Sequence, residues 1–326
     1  MFDEIFDIRT LTAAINDAVF QPRRLGEMGL FQEEGIQTTT MLVERQGNSL
    51  ALVPATERGA PGKSVDGDYR KGVTFSAVHL NTTAAVLADE VQNVRDFGSQ
   101  EGLQGAQAVV NTRLAKMARH IEVTHEFHRI GAVKGLVLDS DASTLYDLFS
   151  AFDMTQQTHN MKLGTTTTKV KKEALTAIEL VESALDGVVF TGLTALCGSA
   201  FWADLISHDS VEEAYKFQQS QKLREDGRES FDFGGVSWER YRGGIGGTPF
   251  VAADEAYLVP TGVDDMFLTR FSPADYTDAV NTIGLPLYSS AHDLPHNKGW
   301  ELEAQSNPIH LNTRPSAVIK LTRVAP

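Results

Sequence analysis

Between Ser99 and His128 the chain runs for thirty residues without a proline. Within that run Leu103, Ala106, Val110, Leu114, Met117 and Ile121 recur at three- and four-residue spacing, which puts them on one stripe of a helix. The pattern predicts a helix of about 28 residues, about 42 Å long. Ala and Gln between the apolar positions suit a rod that crosses the surface of a larger body. The following HRIGAVKGLVLD reads as a glycine-bounded turn and then a strand.

The segments on either side of this rod differ in character. Residues 1–37 mix DEIFD, QPRRLGEMGLF and short apolar runs, with one short helix candidate from Thr10 to Val19. They read as an extended arm. An arm of that length cannot bury itself, so it is expected to lie on something else. Residues 38–80 hold two strand-like runs, TTTMLVERQGNSLALVPA and YRKGVTFSAVHL; in the second, Val73, Phe75 and Ala77 alternate with Thr74 and Ser76. Between them lies TERGAPGKSVDGD, whose glycines and proline pack poorly by themselves. The expectation is a long projecting β-hairpin, an edge-pairing hazard in a monomer that makes sense where a neighbour receives it.

Beyond the rod, AFDMTQQTHNMKLGTTTT is polar, and KVKKEALTAIELVESALDG predicts a helix with Ala174, Ile178, Val181 and Leu185 on one face and Gly187 as its stop. VVFTG reads as a short buried strand, and LTALCGSAFWADLISHDSVEEAYKF continues in helical pattern. This alternation implies a mixed α/β lobe. From residue 228 the chain turns to β structure. FDFGGVSWERYRGG is a strand, a Gly-Gly kink and a strand; AYLVPTGVDDMFLTRFSPADYTDAV is strand, turn, strand and short helix; RPSAVIKLTRV is a last alternating strand.

Composition narrows the function classes. At 326 residues the chain is long enough for two or three subdomains. No window approaches the roughly 18 apolar residues of a membrane span. The acidic start MFDEIFDIRT lacks the basic region and apolar core of a signal peptide, so the reading is of a soluble chain made in the cytoplasm. The net charge of −14, from 29 basic and 43 acidic residues, argues against tight sequence-independent nucleic-acid binding, which runs on clustered Lys and Arg. The single cysteine, Cys197, forms no internal disulfide and reads as a buried, inert thiol.

Candidate chemistry is thin. His120, His125 and His128 share the helix end with Glu122 and Glu126, and the i, i+3 pair His125/His128 is a conceivable zinc clamp. HEFH is nevertheless not H-E-x-x-H, and polar residues on a solvated helix or at a subunit contact are the better account. Protonation there would make assembly pH-sensitive. RGGIGGTPF (242–250) matches neither a dinucleotide fingerprint nor a P-loop and reads as a loop. Asp264, Asp265 and Asp275 suit turn hydrogen bonding, FSPAD reads as a capped helix start, and Ser199 and Ser207 lack G-x-S-x-G context. No catalytic, cofactor-binding or metal-binding residue is assigned.

The order of parts resembles the Hong Kong 97-type capsid fold, an α+β class with an N-terminal arm, an extended β-hairpin loop, a long spine helix, a peripheral domain and an axial domain. The last half of the chain resembles the lambda major capsid protein E family of tailed phages. A G-V-x-W-E-x-Y strand spans Gly235–Tyr241, P-x-G spans Pro260–Gly262 and P-A-D spans Pro273–Asp275. N-T-x-G-x-P-x-Y spans Asn281–Tyr288, and Q-S-x-P spans Gln305–Pro308. Each motif is short; their order carries the resemblance, whereas the N-terminal half matches by architecture.

The resemblance implies an arm at 1–37, the extended loop at 38–80 and a peripheral domain at 81–172 with the spine helix at about 99–128. It further implies an axial domain at 173–260 and a return with C-terminal peripheral strands at 261–326. It implies a non-enzymatic subunit of an icosahedral virion head around packaged double-stranded DNA, assembled in the host bacterial cytoplasm. Partners would be many copies of itself in hexamers and pentamers, a separate scaffolding protein, a portal, a decoration protein where one is used, weakly and nonspecifically held DNA, and no membrane. Lys63 near the hairpin tip has no matched Glu and Lys-Asn set that would assign covalent crosslinking. An encapsulin-like compartment and a His125/His128 metal hydrolase are the alternatives.

Overall fold

A computed structural model describes residues 24–46, 70–91, 105–217, 230–245 and 247–324. The expected helix at Thr10–Val19 and the tip of the hairpin lie outside the described residues.

The rod is present and extends past its expected end. Helix α3 spans Ala106–Lys134, 29 residues, after the short helices α1 (Arg24–Glu27) and α2 (Ala88–Val91). The expected turn at Gly131 is not there. Gly131 stays helical because the next strand crosses directly over it: a Cβ would lie 2.9 Å from the Leu136 carbonyl oxygen and 3.0 Å from Val137 Cα. The stop is Gly135, at φ +82°, whose N–H reaches back to the Ala132 and Gly131 carbonyls. A Cβ there would strike the Phe149 ring at 2.2 Å.

Two three-stranded sheets lie along α3. Its N-terminal half buries Val110, Leu114, Met117, Ala118 and Ile121 against Val86, Leu287, Leu302 and Ala304. Those four come from or adjoin the antiparallel sheet of β4 (Leu80–Leu87), β15 (Tyr288–Asp293) and β16 (Gly299–Ser306). The C-terminal half covers β1 (Gln32–Gly35), β14 (Phe267–Phe271) and β17 (Pro308–Asn312), in which β1 runs parallel and β17 antiparallel to β14. Only Asn307 separates β16 from β17, so one nearly continuous strand passes between the sheets, with the ladders divided at Asn307.

The larger lobe is a six-stranded sheet ordered β7-β18-β13-β8-β10-β9. Its members are β7 (Thr158–Asn160), β8 (Gly192–Cys197), β9 (Phe231–Phe233), β10 (Val236–Arg240), β13 (Glu255–Thr261) and β18 (Ile319–Thr322). Central strand β8 corrects an expectation: LTALC is strand and VVF is not, with Val189 left 82% exposed. Leu193, Ala195, Leu196 and Cys197 of β8 are all buried, so burial runs unbroken over its last three positions and the alternation by which a strand is read is lost there. Gly198 then allows the turn into α6 (Ser199–Ile206), because a Cβ there would lie 1.9 Å from the Ala252 carbonyl oxygen. Phe201 of α6 stacks on Trp238 of β10 at 6.2 Å, and α7 (Asp209–Phe217) follows.

Helix α5 (Val170–Leu185) buries Ala174, Val181 and Leu185 as expected, and the chain leaves it through left-handed Asp186 and Gly187. It follows the hairpin of β5 (Leu136–Leu138) and β6 (Thr144–Asp147) and the short helix α4 (Leu148–Phe152). The Gly-Gly kink between β9 and β10 is a two-residue hairpin turn, with Gly234 at φ +65° and Gly235 at φ +88°. The last strand, β18, pairs with β13 and β7 in this sheet and does not join the strands under α3. The helix start expected at FSPAD is also absent. Ser272 continues the pairing through its N–H to the Asn307 carbonyl, and only a 3₁₀ turn, Thr277–Ala279, follows. Among the described residues no helix is long and apolar enough to cross a membrane.

Candidate assembly elements and a buried histidine cluster

The hairpin of β2 (Thr40–Gln46) and β3 (Arg70–Ser76) is a two-stranded ribbon in register from Thr40–Ser76 to Gln46–Arg70. Residues 47–69, with Lys63 and the glycine-rich middle, lie outside the described residues. The ribbon is held at its root. Phe75 is buried, edge-on to Tyr146 at 5.6 Å and tilted against Phe152 at 5.8 Å. The Tyr146 hydroxyl donates to the Ser76 carbonyl, and Val78 N–H donates to that of Pro308. Leu42, by contrast, is 57% exposed. A two-stranded ribbon is marginal by itself, so this aromatic root sets its direction.

The end of the arm corrects the reading of 1–37 as a segment that cannot bury itself. Leu25 and Phe31 are buried in the main core, and β1 adds to the sheet under α3. Polar contacts fix it further. The Glu126 carboxylate Oε1 accepts from Leu25 N–H at 3.1 Å and from the Tyr241 hydroxyl at 2.8 Å. Arg24 forks onto Glu239, with Nη2 2.7 Å from Oε2. Arg129 bonds Glu33 at 2.7 Å and Glu122 at 3.1 Å. Arm, long helix and six-stranded sheet therefore meet around Glu126. Burial raises the Glu126 carboxyl above its ordinary value, against the lowering effect of the two donors.

The histidines are not the solvated set expected. His120 is exposed, but His125 and His128 are buried and face buried His310 of β17. They occupy the next two places on the apolar stripe: after Val110, Leu114, Met117 and Ile121 the same spacing falls on 125, 128 and 132. Ring centroids lie 5.3 Å apart for His125–His310 and 6.2 Å for His128–His310, and His125 stacks on Phe271 at 5.8 Å. His125 Nε2 meets Ser306 Oγ at 3.0 Å, and His310 Nδ1 meets Thr269 Oγ1 at 2.8 Å. His125 Nδ1, His128 Nε2 and His310 Nε2 find no hydrogen-bond partner among the described residues. Burial holds His125 and His310 well below the ordinary imidazole value, with Arg129 adding to the effect. It lowers His128 to about 4 against the pull of Asp139. Among the described residues no group of three or more His, Cys, Asp or Glu is arranged to hold a metal ion.

The other candidates are structural. Exposed Asp264 and Asp265 form the turn before β14, with Asp265 at φ +54°. Exposed Asp275 lies beyond its far end and accepts from Gln305 Nε2 at 2.8 Å. RGGIGGTPF folds in part into a small hairpin, β11 (Gly244–Ile245) with β12 (Thr248–Pro249). Ser199 opens α6, and the Ser207 hydroxyl donates to the Ala203 carbonyl at that helix's end. Burial pushes the Cys197 thiol up, which keeps it protonated and inert.

The motif residues prove to be joints. Trp238 is fully buried, its Nε1–H bonded to the Phe233 carbonyl at 2.9 Å, while Glu239 and Tyr241 hold the arm and α3. Asn281 adopts φ +59°, a Cβ on Gly284 would lie 2.0 Å from the Phe271 carbonyl oxygen, and Leu285 N–H donates to the Tyr288 hydroxyl at 2.9 Å. A rooted ribbon, a buried arm end, a long helix over two small sheets and a six-stranded lobe are the parts of a Hong Kong 97-type capsid subunit. The chain belongs to the phage major capsid protein E family, whose profile matches residues 7–323.

The major capsid protein of Pseudomonas phage KPP10 is 30% identical over 318 residues, covering 90% of each chain. Among solved structures, a prophage protein of E. coli CFT073 has a TM-score of 0.60 at 14% identity, covering 97% of this chain and 99% of its own. The capsid subunit of cyanophage Pam1 has a TM-score of 0.56 at 10% identity, covering 95% and 96%. Family membership favours a phage capsid over an encapsulin-like compartment.

Proposed function

We propose that copies of this chain build the icosahedral head shell that encloses the packaged DNA of a tailed phage, and that its functional residues are contact surfaces without catalytic duty. The observation that carries this is the family match across 7–323, joined to a ribbon fixed at one end by Phe75 and Tyr146. Within the shell, 1–37 serves as the arm, 38–80 as the extended loop, 81–172 as the peripheral domain and 173–260 as the axial domain. In the return at 261–326, β18 belongs with the axial sheet and the other strands lie along α3. The copies form hexamers and pentamers. A separate scaffolding protein and a portal are the further partners, with a decoration protein where one is used. The acidic chain holds DNA weakly.

Negative-stain microscopy of the expressed chain, with and without its scaffolding protein, tests this. Closed shells or capsomer rings are expected. Monomers under every condition, scaffold included, overturn it.

A further inference from the structure

We propose that His125, His128 and His310 form an acid-operated latch: proton uptake by the three imidazoles releases the C-terminal half of the long helix from the β1-β14-β17 sheet. The feature behind it is the placement of two buried histidines on an otherwise apolar stripe, opposite a third on the strand they cover.

The hydrogen bonds define the neutral state. The Ser306 hydroxyl donates to the Pro286 carbonyl at 2.6 Å, so its lone pair accepts from His125 Nε2–H. His125 Nδ1 is then a bare lone pair in a buried seam, packed near Phe271 and His310. His128 Nε2 and His310 Nε2 are likewise without partners among the described residues. All three rings hold a basic site or an unsatisfied N–H that water would satisfy.

The charges facing the cluster make it hard to protonate in place. From α3, Glu122 is taken by Arg129, and Glu126 by Leu25 N–H and the Tyr241 hydroxyl. From β1, Glu33 is also taken by Arg129. From β14 come Thr269, Phe271 and Arg270, whose guanidinium reaches the Gln32 carbonyl and Glu34. Asp139, beyond β5, pulls on His128 alone and accepts from Ser140 N–H. The fixed charge acting on both His125 and His310 is the positive Arg129. A first proton would sit near that guanidinium, and a second near the first. The cluster therefore gains protons by opening, not by charging while closed.

The sign follows. Each imidazole binds its proton less readily closed than open, so the closed form is favoured above about pH 6.5 and loses ground as pH falls below it. Three rings give up to about a thousandfold change in the closed-to-open ratio per pH unit, since each proton taken up on opening contributes about tenfold. Glu126 acts the other way, binding a proton more readily closed, and removes at most one tenfold step from that dependence.

The test is amide hydrogen exchange on the full chain between pH 7.5 and 4.5, corrected for the intrinsic exchange rate. Opening over 121–134 should rise a hundred- to a thousandfold per pH unit below about 6.5, while 107–118 in the apolar half changes little. His128→Gln should cut the dependence over 121–134 by about tenfold per pH unit. Equal pH dependence in the two halves, or an unchanged slope in H128Q, overturns the latch. If H128Q fails to fold, titration of the imidazole nitrogens by NMR replaces it: ordinary values near 6.5 in the native chain overturn the latch, and depressed values sustain it. The capsid reading is tested separately, because these measurements need no shell. Where shells form, those assembled at pH 7.5 and brought to pH 5 should sediment differently from shells held at 7.5.

Discussion

Truncating Phe75 to alanine should unfasten the hairpin without unfolding the subunit. The ring is 4% exposed, and it meets Tyr146 and Phe152 at 5.6 and 5.8 Å. Removing a buried Phe costs about 3–5 kcal/mol, part of it from the two ring pairs, each of which adds about 0.5–1.5 kcal/mol beyond area burial. Among the described residues the ribbon pairs with no third strand, so that loss falls on the root and is not shared across a sheet. About 3–4 kcal/mol converts to two to three orders of magnitude in local opening. Hydrogen exchange of the amides in 40–43 and 72–76 reads it directly: a hundred- to thousandfold acceleration is expected in F75A. The six-stranded sheet should keep its protection, and the global denaturation midpoint should move little. Leu42→Ala, at an exposed site on the partner strand, should shift exchange less than threefold, matching the roughly 0.5 kcal/mol of a surface change. Two results refute the reasoning. Unchanged exchange in F75A means that this ring does not set the root. A fall in global stability by the full amount means that ribbon and body are one cooperative unit.

Two glycines separate strain from collision. Gly135→Ala meets both φ +82° and the Phe149 ring at 2.2 Å, and should lose about 2–4 kcal/mol in equilibrium denaturation; Gly187→Ala has the same φ with open space, and should lose about 1 kcal/mol. Glu126→Gln probes the joint between arm and helix. Because the folded carboxyl is raised above 4.5, its stabilising protonated form is fully present below that value and lost as pH rises through the folded one. A neutral amide escapes that loss, so E126Q should gain on the parent chain as pH increases from 4.5 to 8 in paired denaturation curves, and parallel curves would refute the assignment.

The sequence makes the long helix legible because a proline-free apolar stripe has few other solutions, and the hairpins at 40–76 and 231–240 because alternation and Gly-Gly are local signals. What misleads is any residue whose reason is tertiary. Gly131 looks like a turn, yet it is glycine because Val137 crosses above it. LTALC looks helical because its last three residues, Ala195, Leu196 and Cys197, are all buried and show no alternation. The arm looks unburied because its partners, Glu126 and Glu239, lie about a hundred residues or more away in the chain. The histidines are legible in the spacing, since extending the three-four pattern beyond Ile121 lands on 125 and 128, although histidine on a helix ordinarily signals a solvated face. His310 was not readable, since no spacing links β17 to α3.

The long helix is therefore two chemically different halves on one rigid axis. Its N-terminal half lies on an apolar patch of Val86, Leu302 and Ala304, which no change of pH or salt near neutrality would disturb. Its C-terminal half carries, beside buried Ile130, Ala132 and Val133, two imidazoles facing a third on the strand beneath, a guanidinium shared by two carboxylates, and a carboxyl that ties in the arm. The one-residue joint at Asn307 divides the strand beneath at the same boundary: it holds His79 at 2.8 Å and the Ser272 N–H at 2.9 Å. A subunit that must first fold and then adjust within a shell needs one part that keeps its packing and another whose contacts respond to conditions. Here the polar half is also where the end of the arm, the long helix and the six-stranded lobe converge, so a change in it bears on that junction and leaves the apolar half as the fixed reference.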